Sequence, residues 1–181
     1  MLAELGAKVV SADKVAREVV QPGEEALREI ITHFGQEMRS SDGSLNRKRL
    51  GQKIFTDESA RKKLEAITHP KIAKSVRKQF EALRREFPSE VLIYECPLFF
   101  EASRNSDLFR NIILISTNAD SRFARLKKRD SLTDEQIQSR INSQLADSEK
   151  LESVDFHISN NASLEALRSE AEKLYTKLGW N

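Results

Sequence analysis

Asp13 stands where the apolar, β-branched pair Val9-Val10 gives way to an amphipathic run, and Lys14 and Arg17 follow it into the next turn. Open α/β sheets bind their ligands at the carboxyl ends of strands, which makes this carboxylate a first functional candidate. Ser11 and Asp13 are also good helix-cap residues, so the same pair suits a purely structural role. Glu95 ends a second apolar run, VLIYE, and an acid in that position can hold a magnesium ion beside nucleotide phosphates, often through water. Its alternative role is to cap a helix beginning near Leu98. In RFARLKKRD, Arg122, Arg125 and Arg129 recur at spacings of three and four, on one side of a helix, and Arg140 follows on the next. Convergent arginines neutralise the charge that develops on a transferring phosphoryl group; a solvated basic face paired with Asp120 and Asp130 is the competing reading. His69 precedes Pro70 and reads as a turn residue, and neither His33 nor His157 completes a metal-ligand spacing with it.

The elements that must carry these residues follow from periodicity. Met1 to Ala7 resembles the last turns of a helix closed by Gly6. Pro22 and Gly35 bracket a helix with Leu27, Ile30, Ile31 and Phe34 on one face. A turn at Asp42-Gly43 leads into a basic helix with Leu50 and Ile54 inward, and Thr56 or Asp57 caps the next, which carries Ala60, Leu64 and Ile67. His69-Pro70 is expected to break that helix and open another through Ile72, Val76, Phe80, Leu83 and Phe87. Residues 22–87 thus read as an all-helical insertion. Strands are expected at Val91–Glu95, Asn111–Ser116 and Val154–Ser159, with helical patterns between them, which implies a parallel sheet flanked by helices. Thr133 and Gln136 form a capping box for a helix from Asp134 to about Leu145, and Ser163 caps a last helix ending before Gly179.

The 181 residues allow one core with a small appended domain. Thirty Lys and Arg against 28 Asp and Glu leave a formal charge of +2, so no global field draws the chain to nucleic acid or anionic lipid, and any anion site must be local. A single cysteine, Cys96, excludes an internal disulfide and a multi-cysteine zinc site. With no signal-peptide pattern and no long apolar run, the reading is a cytoplasmic protein without a membrane or nucleic-acid partner.

Taken in order, these segments resemble dephospho-coenzyme A kinase, of the P-loop nucleoside monophosphate kinase group. The resemblance is carried by Ala12-Asp13 with Ala16-Arg17, by Asp42 to Arg47 and on to Phe55, by His69-Pro70, and by Pro97-Leu98-Phe99-Phe100-Glu101. Arg125, Arg129-Asp130, Arg140 with Gln144, and the Asn160-Asn161 turn continue it. It implies transfer of the ATP γ-phosphate, with Mg²⁺, to the ribose 3′-hydroxyl of dephospho-coenzyme A. The implied fold is a P-loop kinase-like α/β core (1–21, 88–117 and 151–181), a helical acceptor-binding domain (22–87) and a lid (118–150). By the same resemblance Asp13 matches the catalytic base, and Arg125 and Arg140 match catalytic positions of the lid and its flank. Arg17, Arg47, His69, Pro97 and Glu101 match the acceptor region; Arg125, Arg129, Asn160 and Asn161 match the ATP side; Glu95 is the metal candidate.

The sequence departs from the family in two places. Ser11 stands where the family usually has an acid. More consequentially, none of the six glycines (Gly6, Gly23, Gly35, Gly43, Gly51, Gly179) begins a GxxxxGK(S/T) phosphate loop. The expectation is that this loop and the first strand lie upstream of Met1, that Val91–Glu95 and Asn111–Ser116 do not pair directly, and that the chain alone has negligible activity. Two other functions compete: a non-catalytic dephospho-coenzyme A binding protein, and an RNA-binding module using the face from Arg122 to Arg129, which lacks interleaved stacking aromatics.

Overall fold

Lys8–Ser11 forms strand β1 and runs without a break into helix α1, Ala12–Glu18, because Val10 and Val15 are buried in one core on either side of the junction. The computed structural model describes residues 1–101, 109–130 and 132–180. Over these residues the chain divides into two compact units, Gly6–Cys96 and Met1–Leu5 with Pro97–Asn181.

In the first unit β1 pairs in parallel with β2, Leu92–Glu95, in a register that sets Ser11 opposite Glu95. Four helices follow β1: α1, α2 (Glu25–Phe34), α3 (Arg47–Thr56) and α4 (Glu58–Glu86). Helix α2 begins three residues after Pro22, not at it, and buries Ala26, Leu27, Ile30 and Phe34; Gly35 ends it at φ 105°. Asp42 accepts from both the Ser44 amide and hydroxyl to shape the expected turn, with Gly43 at φ 83°. Asn46 caps α3 through the Arg49 amide, and Asp57, rather than Thr56, caps α4 through the Ala60 amide at 2.9 Å.

The expected break at His69-Pro70 is absent, since α4 is one 29-residue helix with Pro70 inside it. An interior proline costs a helix about 3 kcal/mol. Ile67 and Ile72 flank it at 5% and 7% exposure, and each such burial contributes about 1.5 to 3 kcal/mol. Packing of α4 against α1, α2, α3 and both strands therefore outweighs the lost hydrogen bond.

In the second unit β3 (Ile113–Ser116) pairs in parallel with β4 (Phe156–Ser159). Helices α5 (Ala119–Arg129), α6 (Asp134–Asn142), α7 (Asp147–Leu151) and α8 (Leu164–Lys177) complete it. The Thr133–Gln136 capping box is formed in both directions, and Ser163 caps α8. Helix α6 stops three residues short of Leu145. The first residues are a hydrogen-bonded turn and not a helix end: the Glu4 and Leu5 amides both donate to the Met1 carbonyl. Strands β2 and β3 are not paired with each other and belong to separate two-stranded sheets.

Candidate functional site

On the first unit the paired strands bring two carboxylates to one end. Asp13 is the second residue of α1, two residues beyond Ser11, and Glu95 is the strand partner of Ser11; both acids are exposed. Neither acts as a cap. Ser11 occupies the N-cap position of α1 without a side-chain hydrogen bond, and the residues after Glu95 form a turn over 97–101 instead of the helix expected near Leu98. One or two carboxylates at a strand end, with phosphate and water completing the shell, is the donor set magnesium prefers, so these residues fit that ion. No cluster of three or more His, Cys, Asp or Glu suited to a metal occurs among the described residues.

The residues expected to serve the acceptor in this unit lie apart along the chain, on α1, α3 and α4. Arg17 is exposed in the last turn of α1, Arg47 opens α3 and is exposed, and His69 is exposed in mid-helix on α4. Continuity of α4 makes His69 a rigidly presented helical side chain, not the turn residue expected from its place before a proline.

In the second unit these four arginines are all held by hydrogen bonds to neighbours. Arg122 donates to Asp147 on α7 and, at 3.3 Å, to the Thr117 carbonyl. Arg125 donates to the Asn160 carbonyl at 3.0 Å, which joins α5 to the asparagine turn after β4. That turn is itself stapled down: Asn161 Oδ1 accepts from the Asn118 amide at 2.7 Å and from Thr117 Oγ1 at 3.1 Å. Arg129 and Arg140 meet on one carboxylate, Asp130, at 2.9 and 2.7 Å. Asp130 is therefore paired with the basic face, while among the described residues no ion pair engages Asp120.

Sequence reasoning did not find Lys150. At 6% exposure it is the buried charged residue among those described, and its ammonium bonds Glu101 Oε1 at 2.8 Å. The same oxygen accepts the Leu145 amide at 3.1 Å, while Oε2 is buried without a partner. Pro97, at the start of that turn, is exposed. Burial pushes the Glu101 carboxyl up, but its bonds from Lys150 and the Leu145 amide prevail and hold it below the usual range. Because the folded value lies below the unfolded one, the stabilisation is complete above the unfolded value and is lost as pH falls through the folded value. Lys150→Met, by leaving a buried carboxylate unpaired, should lower stability at neutral pH by about 3 to 5 kcal/mol. Urea unfolding at a series of pH values checks this: the deficit should narrow below about pH 4.5, where glutamate titrates. An equal deficit at every pH would separate the loss from the ion pair.

Comparison with known proteins places the chain in a family. The dephospho-CoA kinase (CoaE) family model matches residues 1–166. A dephospho-CoA kinase of Listeria monocytogenes is 41% identical over 172 residues, which is 94% of this chain and 84% of its own length. One from Syntrophotalea carbinolica is 40% identical over 178 residues, covering 98% of this chain and 83% of its own. Among solved structures, TT1252 of Thermus thermophilus superposes with a TM-score of 0.79 at 25% identity, covering 98% of this chain and 87% of that one. The dephospho-CoA kinase of Campylobacter jejuni gives 0.71 at 32%, covering 97% and 87%. Parallel strands flanked by helices, together with the likeness to these kinases, make this a phosphotransferase of P-loop kinase-like fold. The chain belongs to the dephospho-CoA kinase family.

Proposed function

We propose that the reaction served by this chain is phosphorylation of the ribose 3′-hydroxyl of dephospho-coenzyme A by ATP, the final step of coenzyme A synthesis. The observation that carries it is the family match over residues 1–166. Asp13 accepts the hydroxyl proton as the phosphoryl group moves. Arg17, Arg47, His69, Pro97 and Glu101 serve the acceptor; residues 22–87 form its binding domain and residues 118–150 the lid. The two compact units divide the chain differently, at Leu5/Gly6 and Cys96/Pro97. Arg125 and Arg140 stabilise the charge on the transferring group, and Arg129, Asn160 and Asn161 face ATP. Glu95 would hold magnesium, which supplies charge neutralisation at the phosphates when bound.

Transfer also requires the phosphates to be cradled, and no glycine here begins the motif that does so. The 181-residue chain is therefore expected to bind dephospho-coenzyme A while turning over negligibly. Calorimetry with each substrate, beside an assay for ADP, tests the reading. Failure to bind dephospho-coenzyme A would reject it, and RNA binding that falls steeply with salt would favour the nucleic-acid alternative.

Acceptor and donor sides should respond separately to substitution. His69→Ala is expected to weaken dephospho-coenzyme A, whereas Arg125→Ala and Arg140→Ala reduce turnover or the use of ATP. The removal of one charge-assisted contact corresponds to about tenfold or more. Varying each substrate in turn, in a form that turns over, measures it; equal losses on both substrates from all three variants would refute the division.

A further inference from the structure

Asp130 ends α5 with its amide bonded to the Leu126 carbonyl at 2.8 Å, and its side chain is engaged on three sides. Arg129 donates from Nε to Oδ1 at 2.9 Å and from Nη2 to Oδ2 at 3.0 Å, and Arg140 of α6 donates from Nη1 to the same Oδ2 at 2.7 Å. A second link, Lys127 to Asp134 at 2.8 Å, joins the two helices beside it. The carboxylate is 24% exposed, whereas Arg129 and Arg140 are 70% and 53% exposed. An arginine has five N–H donors. Two of Arg129's and one of Arg140's are used, so three and four, or seven in all, remain for another anion.

Isolated surface ion pairs contribute little, but a bidentate arginine within a network is the exception. Two guanidiniums bonded to one oxygen would repel each other without the negative charge between them, and both are long side chains with much rotamer freedom to lose. The bond from Arg129, ahead of those from Arg140, also holds the Asp130 carboxyl below the usual carboxylate range, which keeps it ionised.

The geometry points to Asp130 as a positioning residue: its carboxylate joins Arg129 and Arg140, from two helices, into one fork for the oxygens of a nucleoside triphosphate's phosphate chain. This rests on the reading of residues 118–150 as the ATP-facing lid and adds to it a residue that touches no substrate. The fork is assembled before the anion arrives, so little side-chain ordering is left for the binding step.

The test uses the whole 181-residue chain with ¹⁵N-labelled arginine side chains, titrated separately with ATP and with inorganic tripolyphosphate. In the parent protein the Arg129 and Arg140 side-chain signals should shift saturably with both ligands, tripolyphosphate reporting the phosphate chain without the nucleoside. Asp130→Asn should weaken both by about tenfold or more, the scale of one lost charge-assisted arrangement. Asp130→Glu, which keeps the charge, should recover most of that loss, and equal melting temperatures would exclude unfolding as the cause. If Asp130→Asn binds as tightly as the parent, or more tightly, with both arginines still shifting, Asp130 is only a competing anion and the proposal is overturned. If neither ligand moves Arg129 or Arg140 in the parent, the lid reading fails first and the proposal with it.

Discussion

A form of this protein supplied with a GxxxxGK(S/T) phosphate loop should phosphorylate dephospho-coenzyme A at least about 10³ times faster than the 181-residue chain. The expectation comes from what phosphoryl transfer needs. The reaction asks little covalent chemistry of the protein and depends on placing the phosphates and stabilising their charge. Removing one well-placed donor from such a site costs about 10² to 10³ in rate, and a phosphate loop supplies several backbone N–H groups together with a lysine. None of the six glycines in this chain is followed by that pattern, and the arginines of α5 and α6 are donors to Asn160, Asp130 and Asp147 without forming a backbone cradle. ADP release in the presence of both substrates measures the difference. Rates within tenfold of each other would mean that this chain handles phosphates by another route.

Asp13→Asn in that loop-bearing form should lower turnover by about 10² to 10⁴, the range of general acid-base assistance, with dephospho-coenzyme A binding nearly unchanged. The structure makes the prediction discriminating. Asp13 is exposed, lies in the first turn of α1, and the N-cap position belongs to Ser11. Its structural contribution is then limited to a favourable position at a helix N-terminus, worth about 0.3 to 1 kcal/mol. A large rate loss with a small stability loss is what a base produces. The reverse pattern, a clear drop in unfolding free energy with turnover near the parent value, would return Asp13 to a helix-end role.

The amino-acid sequence by itself determined the strands, most caps and the family. Runs rich in β-branched residues at Val9-Val10, Val91 to Ile93 and Ile112-Ile113 mark strands because such side chains favour extended backbone, and Asp57, Thr133 and Ser163 mark helix starts because their oxygens reach the next free amides. These are interactions within a few residues, which a linear reading captures. Tertiary structure alone decided that α4 continues through Pro70, since the offsetting burial of Ile67 and Ile72 is supplied by helices far away in sequence. It decided too that Glu95 caps nothing, because the residues after it turn over 97–101 instead of starting a helix. Glu101 found Lys150 and Arg125 found Asn160 across 49 and 35 residues, as their numbers give by subtraction, and no spacing rule spans such distances. Arg129 and Arg140 were both visible as charges; that one carboxylate binds the pair depends on the angle at which α5 turns into α6, which packing sets.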